Sequence, residues 1–234
     1  YPIVLSFTAI AMVTALMVFV VPKLVEQFAS IGQELPPLTR ALIATSEFLG
    51  SYGIFVLVGL FVGLFAFLRA LKNEGFRRRV DAGLLRLPLI GRLIREVSAA
   101  RFARTMATLT ASGSPVLQSL QAARDTVNNL IFRDAIHSLV VSVREGASLN
   151  GAMRHTNMFP PLVVYMAASG ENSGELPDML GKAADYLEAE FEAVTGVALN
   201  LLEPAIIILM GGIVMTIILA ILLPILNLNT LALV

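Results

Sequence analysis

The sequence predicts an all-α membrane protein, with three transmembrane helices and an antiparallel helical-bundle domain on the cytoplasmic side. Three observations carry that expectation. Apolar residues make up 56% of the 234 and charged residues only 15%, with a mean hydropathy of +0.79, so lipid suits much of the chain better than water. Three runs, residues 2–22, 48–68 and 204–227, hold no charge, and each is long enough to cross about 30 Å of hydrocarbon at about 1.5 Å per helical residue. As core helices of a soluble protein they would leave too little polar surface to cover them. The remaining charge is uneven: residues 69–104 carry ten Lys or Arg against three carboxylates, and residues 105–200 carry five against ten.

Taken in order, residues 1–22 form the first span. It opens on Tyr1 with no start Met and no basic leader, so the chain reads as a piece of a longer one and the span is not a signal peptide. The loop at 23–47 holds only Lys23 and Arg40 as cations, whereas the segment after the second span (48–70) is rich in arginine. The positive-inside rule therefore places 23–47 in the periplasm and the domain at 71–200 in the cytoplasm. The third span, 201–227, leads out to a periplasmic tail at 228–234. Spans one and three are bracketed by prolines twenty residues apart, Pro2 with Pro22 and Pro204 with Pro224. The common offset of 202 residues points to an internal duplication whose first cytoplasmic copy precedes Tyr1.

Within 71–200 the pattern is short helices separated by tight punctuation. Phe102, Met106 and Leu109 lie on one helix that Gly113 ends; Ser114 and Pro115 then open the next. A helix over 129–144 ends at Gly146, Ser148 caps a short one, and another runs from Pro160 or Pro161 to a stop at Gly170. After Gly174 an amphipathic helix places Leu176, Met179, Leu180, Ala183, Leu187, Phe191, Val194 and Ala198 on one face, with no breaker before Pro204. It can feed the third span directly.

Candidate chemistry concentrates in ASGENSGELPDML, residues 168–180. An EF-hand calcium loop counted from Glu171 would need a glutamate at its twelfth position, where Lys182 stands. A phosphate cradle would need a following Lys, and the carboxylates would repel its ligand. No His or aromatic subsite lies nearby for acid–base work, the chain has no Cys, and His137 and His155 are too scattered for a zinc site. No catalytic residue, metal ligand or cofactor is assigned. Termination and capping account for Gly170, Ser173 and Gly174, and the helix dipole for Glu175 and Asp178. Glu171 is left over, and is assigned to a contact with a partner or a neighbouring helix. Arg77, Arg78 and Arg79 read as a topology signal and a contact with anionic lipid head groups, not with nucleic acid. Arg101 and Arg104 share a helix face and are the candidate partner surface. The runs 2–22, 48–68 and 204–227 that make up the body of the spans hold no charge, which argues against an ion-coupled transporter; Gly59, Gly63, Gly211 and Gly212 favour helix packing and a homo-oligomer over a pore.

Three stretches resemble a known family. YPIVLSFTAIAMVTALMVFVVP (1–22), RFARTMATLTASGSPVLQSL (101–120) and the Gly170, Glu171, Ser173, Gly174, Leu176 motif are similar to the inner-membrane platform proteins of bacterial type II secretion, a family shared with type IV pilus assembly. The resemblance spans essentially the whole chain. It implies a multi-pass, non-enzymatic protein of the bacterial inner membrane, here lacking its first cytoplasmic domain. It further implies coupling of a cytoplasmic secretion ATPase to pseudopilus assembly, with the ATPase, pseudopilins and other inner-membrane secretion components as partners. The ending LNLNTLALV looks more like the secretion branch than the pilus branch; a transporter or channel is the competing class.

Overall fold

The computed structural model describes residues 2–23 and 36–231. Among them every regular element is helical. α1 (Pro2–Ala15) runs into a π-helical turn (Leu16–Val20), followed by α2 (Pro37–Ala70), α3 (Glu74–Arg86), α4 (Pro88–Ala111), α5 (Val116–Thr126), α6 (Leu130–Arg144), α7 (Leu149–Thr156), α8 (Pro161–Ser173) and α9 (Leu176–Leu231). The chain divides into two units, residues 1–66 with 197–234, and residues 67–196.

Three stretches of helix, lying wholly or in part in the first unit, are long and apolar enough to cross a membrane: Val4–Lys23, Pro37–Ala70 and, within α9, Leu176–Leu223. Residues 37–47, assigned above to a periplasmic loop, are the opening turns of α2, while 24–35 lie outside the described residues. Arg40 and Glu47 end the charge-free run, but that run measures what lipid tolerates, not where a helix begins. Likewise 228–231 of the assigned tail continue α9, and 232–234 lie outside the described residues. Met17, Val21, Leu42, Ile217 and Ala220 form a small buried cluster, whereas Phe55, Phe61 and Ile208 point outward with about 70% exposure (69, 71 and 74%). Outward apolar side chains at that density suit a lipid environment. The threonine hydroxyls there are mostly satisfied within their own helices: Thr8, Thr14, Thr45 and Thr216 each donate to the carbonyl four residues back, at 2.7–2.8 Å.

The second unit is a helical bundle whose ends are closed by side chains and turns. Asn73 caps α3, Asn129 caps α6 through Phe132 N–H at 3.0 Å, and Ser148 caps α7 through Gly151 N–H at 3.2 Å. α4 and α6 finish in Schellman turns. Ser114 N–H reaches Leu109 O with Gly113 N–H on Thr110 O, and Ala147 N–H reaches Ser142 O with Gly146 N–H on Val143 O. Ser114 therefore closes α4 and does not cap α5, which begins one residue past Pro115. The core gathers Phe102, Phe132 and Phe159, with Phe159 lying 5.0 and 4.9 Å from the other two rings, and Met106, Leu120, Ile136, Leu139 and Met153 fully buried around them. Each such side chain contributes about 1.5–3 kcal/mol of burial. α9 adds Leu180, Ala183, Ala184 and Leu187 to that core. The apolar face expected from the periodicity extends further, but the bundle core takes nothing from this helix past Leu187, and Val194 is 49% exposed.

Candidate functional site

The segment at 168–180 is the joint between α8 and α9. Gly170 does not stop the helix, as its place in the sequence suggests; it is buried inside α8, which continues to Ser173. A Cβ on Gly170 would stand 2.7 Å from Leu176 Cα and 3.1 Å from Leu176 N. Its missing side chain is what lets the start of α9 lie against α8. The stop is Gly174, at φ +76°, a left-handed conformation that a side chain disfavours. Ser173 Oγ accepts from Glu175 N–H at 3.3 Å across the turn. Leu176, half-buried, packs against the bundle core. Asp178 lies in the first turn of α9, where the helix dipole favours it. It pairs with Lys182 at 2.7 Å, and the hydrogen bond with Asp178 holds the Lys182 ammonium above its ordinary pKa.

Glu171 reaches a neighbouring helix. Its carboxylate accepts from Leu149 N–H at 2.7 Å, from Asn150 N–H at 3.2 Å and from Asn150 Nδ2 at 2.8 Å. With Ser148 Oγ taking Gly151 N–H, the first three amides of α7 are all bonded. These are donors that an α-helix cannot satisfy internally, and the carboxylate also meets the positive end of the dipole.

The two candidate arginines separate in role. Arg104 grips α9: its Nε and Nη2 meet both oxygens of Glu188 at 3.1 and 2.6 Å, and Nη2 also bonds Asp185. Those bonds, Glu188's first, hold the guanidinium pKa well above its usual range. Arg101, one turn earlier, is exposed. It lines a cleft with Arg77, Asp81, Ser98, Asn129 and Phe191. Of the basic cluster, Arg77 donates to Asn128 O at 2.6 Å and Arg78 pairs with Asp134 at 3.1 Å, leaving Arg79 exposed. A second clamp, unforeseen from sequence, ties Arg92 to Glu96 at 2.7 Å and to Glu190 at 3.3 Å. The i, i+4 spacing of Arg92 and Glu96 was the available signal for half of it. Among the described residues no group of three His, Asp or Glu is placed to hold a metal ion.

Comparison with known proteins bears on what such a surface serves. Residues 102–224 match the family described as type II secretion system (T2SS), protein F. The chain is similar to the type II secretion system protein F of Aeromonas hydrophila, 44% identical over 98% of this chain and 59% of that protein. It is also similar to the one of Pseudomonas aeruginosa, 43% identical over 99% of this chain and 57% of that protein. The type IV pilus assembly protein PilC of Pseudomonas aeruginosa is 34% identical over 98% of this chain and 62% of its own length. The chain thus spans less than two thirds of the length of the curated relatives it matches.

Proposed function

We propose, from the premise that the chain belongs to the type II secretion system protein F family, that it is part of the inner-membrane platform of a bacterial type II secretion machine. In this reading the three spans sit in the inner membrane, 24–35 faces the periplasm and the bundle of residues 67–196 faces the cytoplasm, as the arginine-rich stretch after α2 favours. The bundle receives the secretion ATPase, and the spans pass its work to pseudopilin subunits and the other inner-membrane secretion components. The part played is mechanical and not catalytic.

The observation that carries this is the similarity along almost the whole chain, higher to the secretion relatives than to the pilus relative. The structure supports a contact at Arg101, since Arg104 is already held by Glu188 and Asp185 and Arg101 fronts an open cleft. Arg79 remains for anionic head groups. Gly59 and Gly63 support self-association: a Cβ on either would meet nothing within 4 Å, so that face of α2 is open to a second helix.

Deleting the gene in its own bacterium and restoring it in full length tests the branch. Loss of exoprotein release with twitching motility intact is expected. Loss of twitching with release unchanged would assign the pilus branch, and a defect in solute uptake alone would assign a transporter.

A further inference from the structure

Two prolines inside the spans each deprive a backbone carbonyl of its donor. Pro224 stands four residues beyond Ala220 in α9, and having no N–H it cannot bond the Ala220 carbonyl. The π turn creates the same vacancy in the first span. There Val21 N–H bonds Leu16 O, five residues back; the same step from Met17 O falls on residue 22, a proline.

Both carbonyls are nonetheless bonded, and by the same helix. Thr39 Oγ1 donates to Ala220 O at 2.6 Å, and Ser46 Oγ donates to Met17 O. The donors are 4 and 3% exposed and seven residues apart on α2, two turns along one face. Their behaviour contrasts with Thr8, Thr14, Thr45 and Thr216, whose hydroxyls bond their own helix four residues back. Thr39 and Ser46 instead reach the two carbonyls that proline leaves open, in surroundings where no water replaces a lost donor. Pro22 and Pro224 are also the matched prolines of the 202-residue offset. Their acceptors are 203 residues apart, Met17 to Ala220, and the one-residue difference is the extra step of the π turn.

We propose that Thr39 and Ser46 are positioning residues: each supplies a flanking span with the hydrogen-bond donor that its proline withholds, so α2 sets the rotation and depth of both spans. The pairing is specific, Ser46 to the Pro22 site and Thr39 to the Pro224 site.

Thermal midpoints of the full chain in lipid nanodiscs, measured as double-mutant cycles, test it. Ser46→Ala should lower the midpoint by about 2 °C, the effect of one interhelical hydrogen bond in a protein of this size. In the Pro22→Ala background, where residue 22 regains its N–H, Ser46→Ala should cost almost nothing. Thr39→Ala should behave likewise with Pro224→Ala, and Thr39→Ser should keep the native midpoint. The crossed pairs, Ser46→Ala with Pro224→Ala and Thr39→Ala with Pro22→Ala, should stay additive. If Ser46→Ala alone prevents folding, recovery on adding Pro22→Ala supports the pairing equally well. Equal costs in both backgrounds, or no recovery, would overturn the proposal.

Discussion

Glu171 works at the end of a helix other than its own. Removing its carboxylate leaves Leu149 and Asn150 N–H without a protein acceptor at the start of α7. Hydrogen bonds to a charged group contribute about 1.5–3 kcal/mol when sheltered, and Glu171 is exposed, so Glu171→Ala should destabilise the bundle by about 1–2 kcal/mol. Glu171→Gln, which keeps an acceptor oxygen, should cost roughly half as much; denaturation of the purified chain in detergent reads both. An unchanged midpoint with impaired secretion would instead return Glu171 to a partner contact. The sequence marks Glu171 as unexplained by its own helix, and no local pattern names an acceptor 22 residues from its donor. Gly170 departs from expectation for a related reason. Glycine near a helix end suggests a stop, whereas here a tertiary approach, Leu176 against its Cα, requires it.

The arginine clamps act between helices. Arg104 joins α4 to Glu188 and Asp185 of α9, and these groups are 41–68% exposed, so solvent limits the pairing to about 1 kcal/mol. Arg104→Glu would set three carboxylates together and should cost more than that, with Asp185→Lys and Glu188→Lys restoring much of the loss. Arg101→Glu should leave the midpoint unchanged. Comparing the two by thermal unfolding separates a clamp from an exposed cation. The helix starts near Asn129 and at Ser148 were legible, the second by its cap, because a capping residue lies beside what it caps. The start of α2 was not, since Pro37 to Glu47 reads as polar loop until Thr39, Leu42 and Ser46 are seen buried on one face. α9 continues through Pro204 to Leu231, as the lack of an earlier breaker suggested, although its buried stripe ends sooner than the periodicity does.

For the molecule as a whole, composition and charge placement made the class legible: three charge-free runs and an arginine-rich segment leave few alternatives in physical terms. Partner surfaces were not legible, because an exposed arginine and a clamped one look alike in sequence until the carboxylates of α9 are located. Self-association belongs to this scale. Gly59→Ile with Gly63→Ile should lower the yield of cysteine-crosslinked dimer about tenfold, the effect of about 1.4 kcal/mol, and the absence of native Cys makes a single introduced thiol a clean probe. Equal yields would place the homomeric contact elsewhere. The most direct measurement is photocrosslinking in living cells from an unnatural amino acid at position 101 of the full-length protein. The expected adduct is the cytoplasmic secretion ATPase, lost when that ATPase is deleted. Adducts with a pilus motor, or with periplasmic proteins alone, would contradict the assignment of this bundle to the cytoplasmic face of a secretion platform.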